Sequence, residues 1–405
     1  MRFAELWAEL EPLGRDPGTG GYRRYSWTAA DSQCRDWFTH HATRLGLAVE
    51  PDRNGNLWAW WGDARAGAVA TGSHLDSVPD GGGYDGALGV ASALAAVAEL
   101  KDKNFNPERA AVIAVLTEEE GARFRVPCLG TRLMTGAVSG EDARALTDDD
   151  GTTLAQAMAA AGADPDQLGP DDDLLGRIAM FVELHVEQGR ALEPLGVPVG
   201  VGDGIWPHGR WRLDFTGRAD HAGTARLEDR HDPMLPCAQT ALAAREQAAA
   251  HGAVATMSKV IAEPGGTNGI NSAVHAWLDA RAADEETLDR TSAAVLAAAQ
   301  GAAKAHGVGL TVRQESYTPL VRFDQNLRDR IVRVLNADGL TAPVLGTGAG
   351  HDAGVLAARL PTAMLFVRNP TGISHSPAEQ AHLADCETGV RALAAVLADL
   401  LADGR

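Results

Sequence analysis

The sequence predicts an α/β protein: a mixed sheet covered by helices, interrupted once by a smaller α+β sandwich domain. Three observations carry this expectation. Strand and helix patterns alternate through the front half, the texture changes near Pro207, and the first texture returns after residue 321. At 405 residues the chain is also about two domains long.

Taken in order, residues 1–10 read as an amphipathic helix carrying Glu5 and Glu9. Residues 68–73 form a short apolar run, 86–100 an Ala/Leu-rich helix, and 110–117 and 178–186 two strands. Strands separated by helices argue for a sheet covered on both faces. Residues 147–173, with Asp148-Asp149-Asp150 and Asp171-Asp172-Asp173, read as a solvated acidic loop around one short Ala-rich helix. Beyond Pro207, Trp211, Leu213 and Phe215 alternate with polar residues as in a half-buried strand. A helix over 233–251, strands near 254–261 and 274–282, a helix over 285–306 and a strand over 308–315 follow. That order is a small sandwich with an antiparallel sheet. A helix at 324–336, a strand at 362–367 and a helix at 385–402 then complete the first pattern. The expected domains are 1–207 with 322–405, and 208–321 inserted between them.

Composition excludes several function classes. Hydrophobic residues are 45% and charged residues 22%, which rules out a disordered chain. Lys and Arg number 36 against 54 Asp and Glu, a formal charge of −18. Such acidity repels phosphate backbones and anionic lipid, so neither nucleic acid nor membrane is the expected partner. No uncharged apolar run approaches the ~18 residues that span a bilayer. The N-terminus lacks an apolar signal-peptide core, and a cytoplasmic location is expected. Cys34, Cys128, Cys237 and Cys386 are far apart and form neither a disulfide framework nor a thiolate zinc site.

The chemistry gathers at strand ends, where α/β sheets place their ligands. His74 closes the 68–73 run, and Asp76 stands two residues on, suited to hold the ring's other nitrogen. Asp85 follows a Gly-rich loop that brings a carboxylate close to a bound ion. Gly81, Gly83 and Gly86 also spell G-x-G-x-x-G, a dinucleotide fingerprint. Its first Gly lies about seven residues past the strand, whereas that motif needs the turn at once. Glu118-Glu119-Glu120 ends the next strand, and three adjacent carboxylates repel one another unless cations neutralise some of them. One Glu can ligate while its neighbour takes a proton from water. A solvated acidic loop is the plainer alternative for these three residues taken alone. His185 ends the 178–186 strand and His375 follows the 362–367 strand. Three strand-end histidines and two carboxylates suit two zinc- or manganese-like ions, with Asp85 as a bridge.

The segments GSHLDSVPDGGGYDGALGV, TEEEGARF, ELHVEQGRALE, GRADHAGT, GAGHDAG and GISHSPAE resemble the N-carbamoyl-L-amino acid hydrolase and allantoate amidohydrolase family. That family belongs to the dinuclear-metal, exopeptidase-like amidohydrolases and is related to β-ureidopropionase. The resemblance implies a metallo-exopeptidase-like catalytic domain with an inserted lid and dimerisation domain, and hence a homodimer. It implies that His74 and His185 cap opposite sides of a metal pair bridged by Asp85, with Glu120 and His375 completing the ligands. Glu119 is implied as general base and Asp76 as the partner orienting His74. His221 is implied to stabilise the oxyanion, with capping of its turn as the structural alternative. Asn268 and Arg281 are implied to hold the substrate's carboxylate, although Arg281 also suits a plain surface strand. Gln188 and His208 are further candidate substrate contacts, and His351 a pocket-lining one. Arg368, on the approach to His375, either pairs with a second substrate carboxylate or makes a surface salt bridge. The expected reaction is hydrolysis of a linear C–N bond in allantoate or an N-carbamoyl-L-amino acid. An N-formyl or N-acyl amino acid, glutamate-derived if Arg368 takes part, is the alternative. Donors without thiolate suit zinc or manganese, with cobalt or nickel as further candidates.

Overall fold

A computed structural model of the chain describes residues 1–63 and 67–402. The chain divides into two compact units, residues 1–204 with 322–405, and residues 205–321. Its strands in chain order begin with β1 (Ala48–Pro51), β2 (Leu57–Trp61), β3 (Ala68–His74), β4 (Ala111–Leu116), β5 (Ile178–Val186) and β6 (Val199–Ile205). They continue with β7 (His208–Thr216), β8 (Asp220–His221), β9 (Val254–Glu263), β10 (Gly269–Ile270), β11 (Ala273–Arg281) and β12 (Gly309–Thr318). The last are β13 (Val321–Arg322), β14 (Val344–Thr347) and β15 (Thr362–Val367).

In the first unit a nine-stranded mixed sheet runs β1-β2-β4-β3-β5-β15-β6-β13, with β14 beside β6. Its four central strands, β4, β3, β5 and β15, are parallel neighbours. Their C-terminal ends therefore open along one edge. Both faces are covered, so β4 and β15 are buried at every position and show no polar alternation. The helix Ala87–Asp102 is apolar around its whole circumference, as a helix enclosed by protein must be. It packs on β3 and β5 and against the last helix, Leu383–Leu401.

The helix Ala29–Arg44 was not apparent in the sequence because its buried face mixes Asp31, Cys34, Trp37, Phe38 and His41, which breaks the apolar stripe. The acidic stretch contains the expected short helix, Leu154–Ala160, but Asp171-Asp172-Asp173 starts a second one, Asp172–Arg177. Asp171 caps it by accepting the Leu174 N–H at 3.1 Å, and its neighbours sit where a helix dipole favours negative charge.

In the second unit an antiparallel sheet runs β12-β7-β11-β9 and packs against the helices Met234–His251 and Glu285–Ala305. Trp211, Leu213 and Phe215 alternate into its core with Val274, Ala276 and Leu278 opposite. β8 and β10 form a separate two-stranded ribbon. Among the described residues no helix is long and apolar enough to cross a membrane.

Candidate metal centre

The four parallel strands deliver the chemistry to one edge. His74 ends β3, His185 is the penultimate residue of β5, Glu118–Glu120 follow β4, and His375 lies in the loop after β15. Asp85 arrives on the glycine loop ahead of the helix Ala87–Asp102 and stands among them. Its Oδ1 is 3.6 Å from His74 Nε2 and 3.3 Å from His185 Nε2. Its Oδ2 is 3.5 Å from His375 Nε2, which lies 3.4 Å from Glu120 Oε2. Two donor groups thus share Asp85, one with His74 and His185 and the other with Glu120 and His375. The expectation that His74 and His185 take opposite sides of Asp85 is corrected. Sheet order is the reason: β3 and β5 are adjacent in the middle, while β4 and β15 bring Glu120 and His375 in from the flanks.

Main-chain contacts fix how the rings face. His74 Nδ1 lies 3.0 Å from the Asp76 carbonyl oxygen, and His185 Nδ1 lies 2.9 Å from that of Val186. A carbonyl only accepts, so each ring carries a proton on Nδ1 and turns Nε2 toward Asp85. His185 Nε2 also accepts the Gly86 N–H at 3.2 Å. Among the described residues, His74 Nε2 and Glu120 Oε1 have no hydrogen-bond partner and are buried. A ring lone pair facing a carboxylate oxygen calls for a positive charge between them. A proton meets that demand for His74: burial opposes its charge, but Glu119, Asp76 and Asp85 prevail and hold it well above the usual imidazole range. A divalent cation meets the same demand, and this buried nitrogen and oxygen set fits one.

The three adjacent glutamates have separate tasks. Glu118 Oε1 accepts the Arg123 and Phe124 N–H groups at 3.0 and 2.7 Å, closing the turn. Glu119 Oε2 stands 3.6 Å from His74 Nε2, while Oε1 receives the Cys128 thiol at 3.5 Å. Glu120 faces His375. Burial pushes the carboxyls of Glu119 and Glu120 well above the usual carboxylate range. Asp76 holds His74 through its carbonyl rather than its carboxylate, which is 3.5 Å away. The carboxylate instead accepts the Glu119 and Glu120 N–H groups, each at 3.1 Å, and so pins the acidic turn.

The glycine spacing has a packing cause. Gly86 adopts φ +65°, and a Cβ there would stand 2.4 Å from the His74 ring. At Gly82 a Cβ would stand 2.3 Å from Glu379 Oε1. Gly86 thus makes room for the His74 ring and Gly82 for Glu379, so packing accounts for glycine at both positions.

Of the other expected residues, Gln188 comes to the site, donating from Nε2 to Asp85 Oδ2 at 2.8 Å and Ser374 Oγ at 3.1 Å. His351 is buried beside His185, ring centroids 4.5 Å apart. With Glu183 and His185 it forms a third group of close donors. Four residues lie in the second unit, in two pairs. His208 is opposite Arg281 across β7 and β11, and Arg281 Nε donates to Asp279 Oδ1 at 2.9 Å. His221 is exposed on β8, and the next residue's N–H donates to the Asn268 carbonyl at 3.0 Å. His221 Nδ1 accepts the Gly223 N–H at 3.0 Å, which leaves the ring proton on Nε2.

Of the two readings of Arg368, the structure shows the salt bridge. Its Nε and Nη2 bind Asp385 at 2.9 and 3.3 Å, and Nη1 lies 3.4 Å from Glu193. The fork that would grip a substrate is engaged by the chain itself. Glu379 was not singled out in the sequence, although it stands in the same GISHSPAE segment as His375. A cavity of about 780 Å³ opens elsewhere in this unit, beside Trp27, Asp31 and Arg35, and none of the donor residues lines it.

Compared with known proteins, residues 70–399 match the model of Peptidase family M20/M25/M40. An N-carbamoyl-L-amino acid amidohydrolase from Geobacillus stearothermophilus is 36% identical over 388 residues, 95% of this chain and 94% of that protein. A ureidoglycolate hydrolase from Oryza sativa subsp. japonica is 33% identical, covering 93% of this chain and 80% of that one. An allantoate amidohydrolase from Bacillus subtilis is 31% identical over 87% of this chain and 86% of its own. Among solved structures, a hydantoinase/carbamoylase family amidase from Burkholderia ambifaria superposes with a TM-score of 0.85 at 33% identity, covering 98% of this chain and 97% of that one.

Proposed function

The chain belongs to peptidase family M20/M25/M40, and from that premise we propose that it is a two-ion amidohydrolase cleaving a ureido group beside a carboxylate, with N-carbamoyl-L-amino acids as substrates. It acts on C–N bonds other than peptide bonds, in linear amides. The observation that carries the reading is Asp85, shared between two donor groups, with Glu119 alongside and outside both. His74, Asp85 and His185 would hold one ion, and Asp85, Glu120 and His375 the other. Zinc and manganese suit these donors, as do cobalt and nickel. Bound there, divalent ions supply Lewis acidity that polarises a carbonyl and makes a water more acidic.

The chain's own residues do the rest. Glu119 takes a proton from the attacking water and passes it to the departing nitrogen. Water adds to the carbamoyl carbon, the C–N bond breaks, and an N-carbamoyl amino acid yields the amino acid, ammonia and carbon dioxide. His221, whose Nε2 carries the ring proton, is assigned to the oxyanion. Asn268 and Arg281 are assigned to the substrate carboxylate, which a guanidinium fork grips at two points. Gln188 and His208 are assigned to further contacts. The proposed working form is a cytoplasmic homodimer.

A second reading, allantoate as substrate, draws on the Bacillus subtilis relative. Ureidoglycolate, in the name of the rice relative, has the same ureido group beside a carboxylate. The glutamate-derived alternative loses its support with Arg368. Ammonia release by manganese-loaded protein separates these readings. We expect release from N-carbamoyl-L-amino acids at a kcat on the order of 10 s⁻¹. Release from allantoate alone supports the second reading, and silence on every ureido compound overturns both.

A further inference from the structure

Glu379 stands outside both donor groups, yet it ties together the segments that carry them. It lies four residues after His375 and is 5% exposed. Its Oε1 accepts the main-chain N–H groups of Tyr84 at 2.8 Å and Asp85 at 3.0 Å. Ser374 Oγ lies 3.4 Å from both Glu379 Oε2 and Asp85 Oδ2. The glycine loop closes over this carboxylate so tightly that Gly82 leaves no room for a side chain, as above. One carboxylate thus fastens the loop holding Asp85 to the loop holding His375.

The two donor groups depend on that fastening unequally. His74 and His185 are fully buried on adjacent strands, and main-chain carbonyls hold their Nδ1 atoms. His375 sits on a loop with its side chain 51% exposed. Its alignment with Asp85 Oδ2 rests on how the two loops are joined. We infer that Glu379 is a positioning residue for the second ion. It fixes the Asp85 carboxylate so that Oδ2 serves the group with Glu120 and His375 while Oδ1 stays with His74 and His185. The inference rests on the two-ion reading above.

The test is a titration of the chelator-treated full-length protein with Mn²⁺, reading bound ions by elemental analysis and the coupling between them by electron paramagnetic resonance. The wild type binds two ions with a coupled spectrum. Glu379→Ala keeps one ion at wild-type affinity and binds the second about 10- to 100-fold more weakly, with the spectrum of isolated Mn²⁺. Glu379→Gln, whose amide oxygen accepts the same two N–H groups, binds two. Two ions at wild-type affinity in Glu379→Ala overturn the inference, as does a Glu379→Gln variant as deficient as the alanine. Loss of both ions in Glu379→Ala overturns it too, because a fastening specific to the second group leaves the first intact. A wild type that binds a single ion overturns the two-ion reading itself, and this inference with it.

Discussion

Replacing Glu119 with Gln lowers kcat by about 10²- to 10⁴-fold while the ion content stays at the wild-type value. Gln has the size of Glu and lacks only the capacity to take and return a proton. The main chain at this position is held independently of the side chain. Asp76 accepts the Glu119 N–H at 3.1 Å, and the Cys128 N–H donates to the Glu119 carbonyl at 2.7 Å. Glu119 belongs to neither donor group, so its loss leaves both intact. Steady-state kinetics beside elemental analysis of the same preparation decides the matter. Activity near the wild-type value, or a protein stripped of ions, contradicts the role given to Glu119.

Replacing Asp85 with Ala abolishes turnover and both ions together. The two oxygens of this one carboxylate face different groups, Oδ1 toward His74 and His185, and Oδ2 toward His375. Removing it leaves each group with two ligating residues instead of three. Replacing His375 instead removes a donor from the second group only, so one ion remains. Dialysis against Mn²⁺ followed by elemental analysis compares the two variants, with circular dichroism reporting that both are folded. Retention of one tightly bound ion in the Asp85 variant contradicts a shared carboxylate.

The site was legible in the sequence because its residues punctuate strands. His74, the Glu118–Glu120 run, His185 and His375 each follow an apolar run too short for a helix. Parallel strands must deliver such residues to a common edge. The grouping around Asp85 was not legible, because it depends on strand order, and order across a sheet is a long-range property that no local pattern encodes. Asp76 does hold His74 as its spacing predicts, but which of its groups makes the contact was not legible, because its carboxylate is drawn to the turn after β4, packed alongside. The salt bridge of Arg368 was one of two readings open in the sequence, but its partners were not legible, because Glu193 and Asp385 lie 175 and 17 residues away in the chain. The helix Ala29–Arg44 escaped because a buried Asp and His interrupt its apolar face.

Anomalous X-ray scattering from crystals of manganese-loaded protein, recorded at the manganese edge, locates bound ions without reference to activity. Two peaks are expected, one among His74, Asp85 and His185, and the other among Asp85, Glu120 and His375. A single peak, or one among Glu183, His185 and His351, would contradict a two-ion centre built on Asp85.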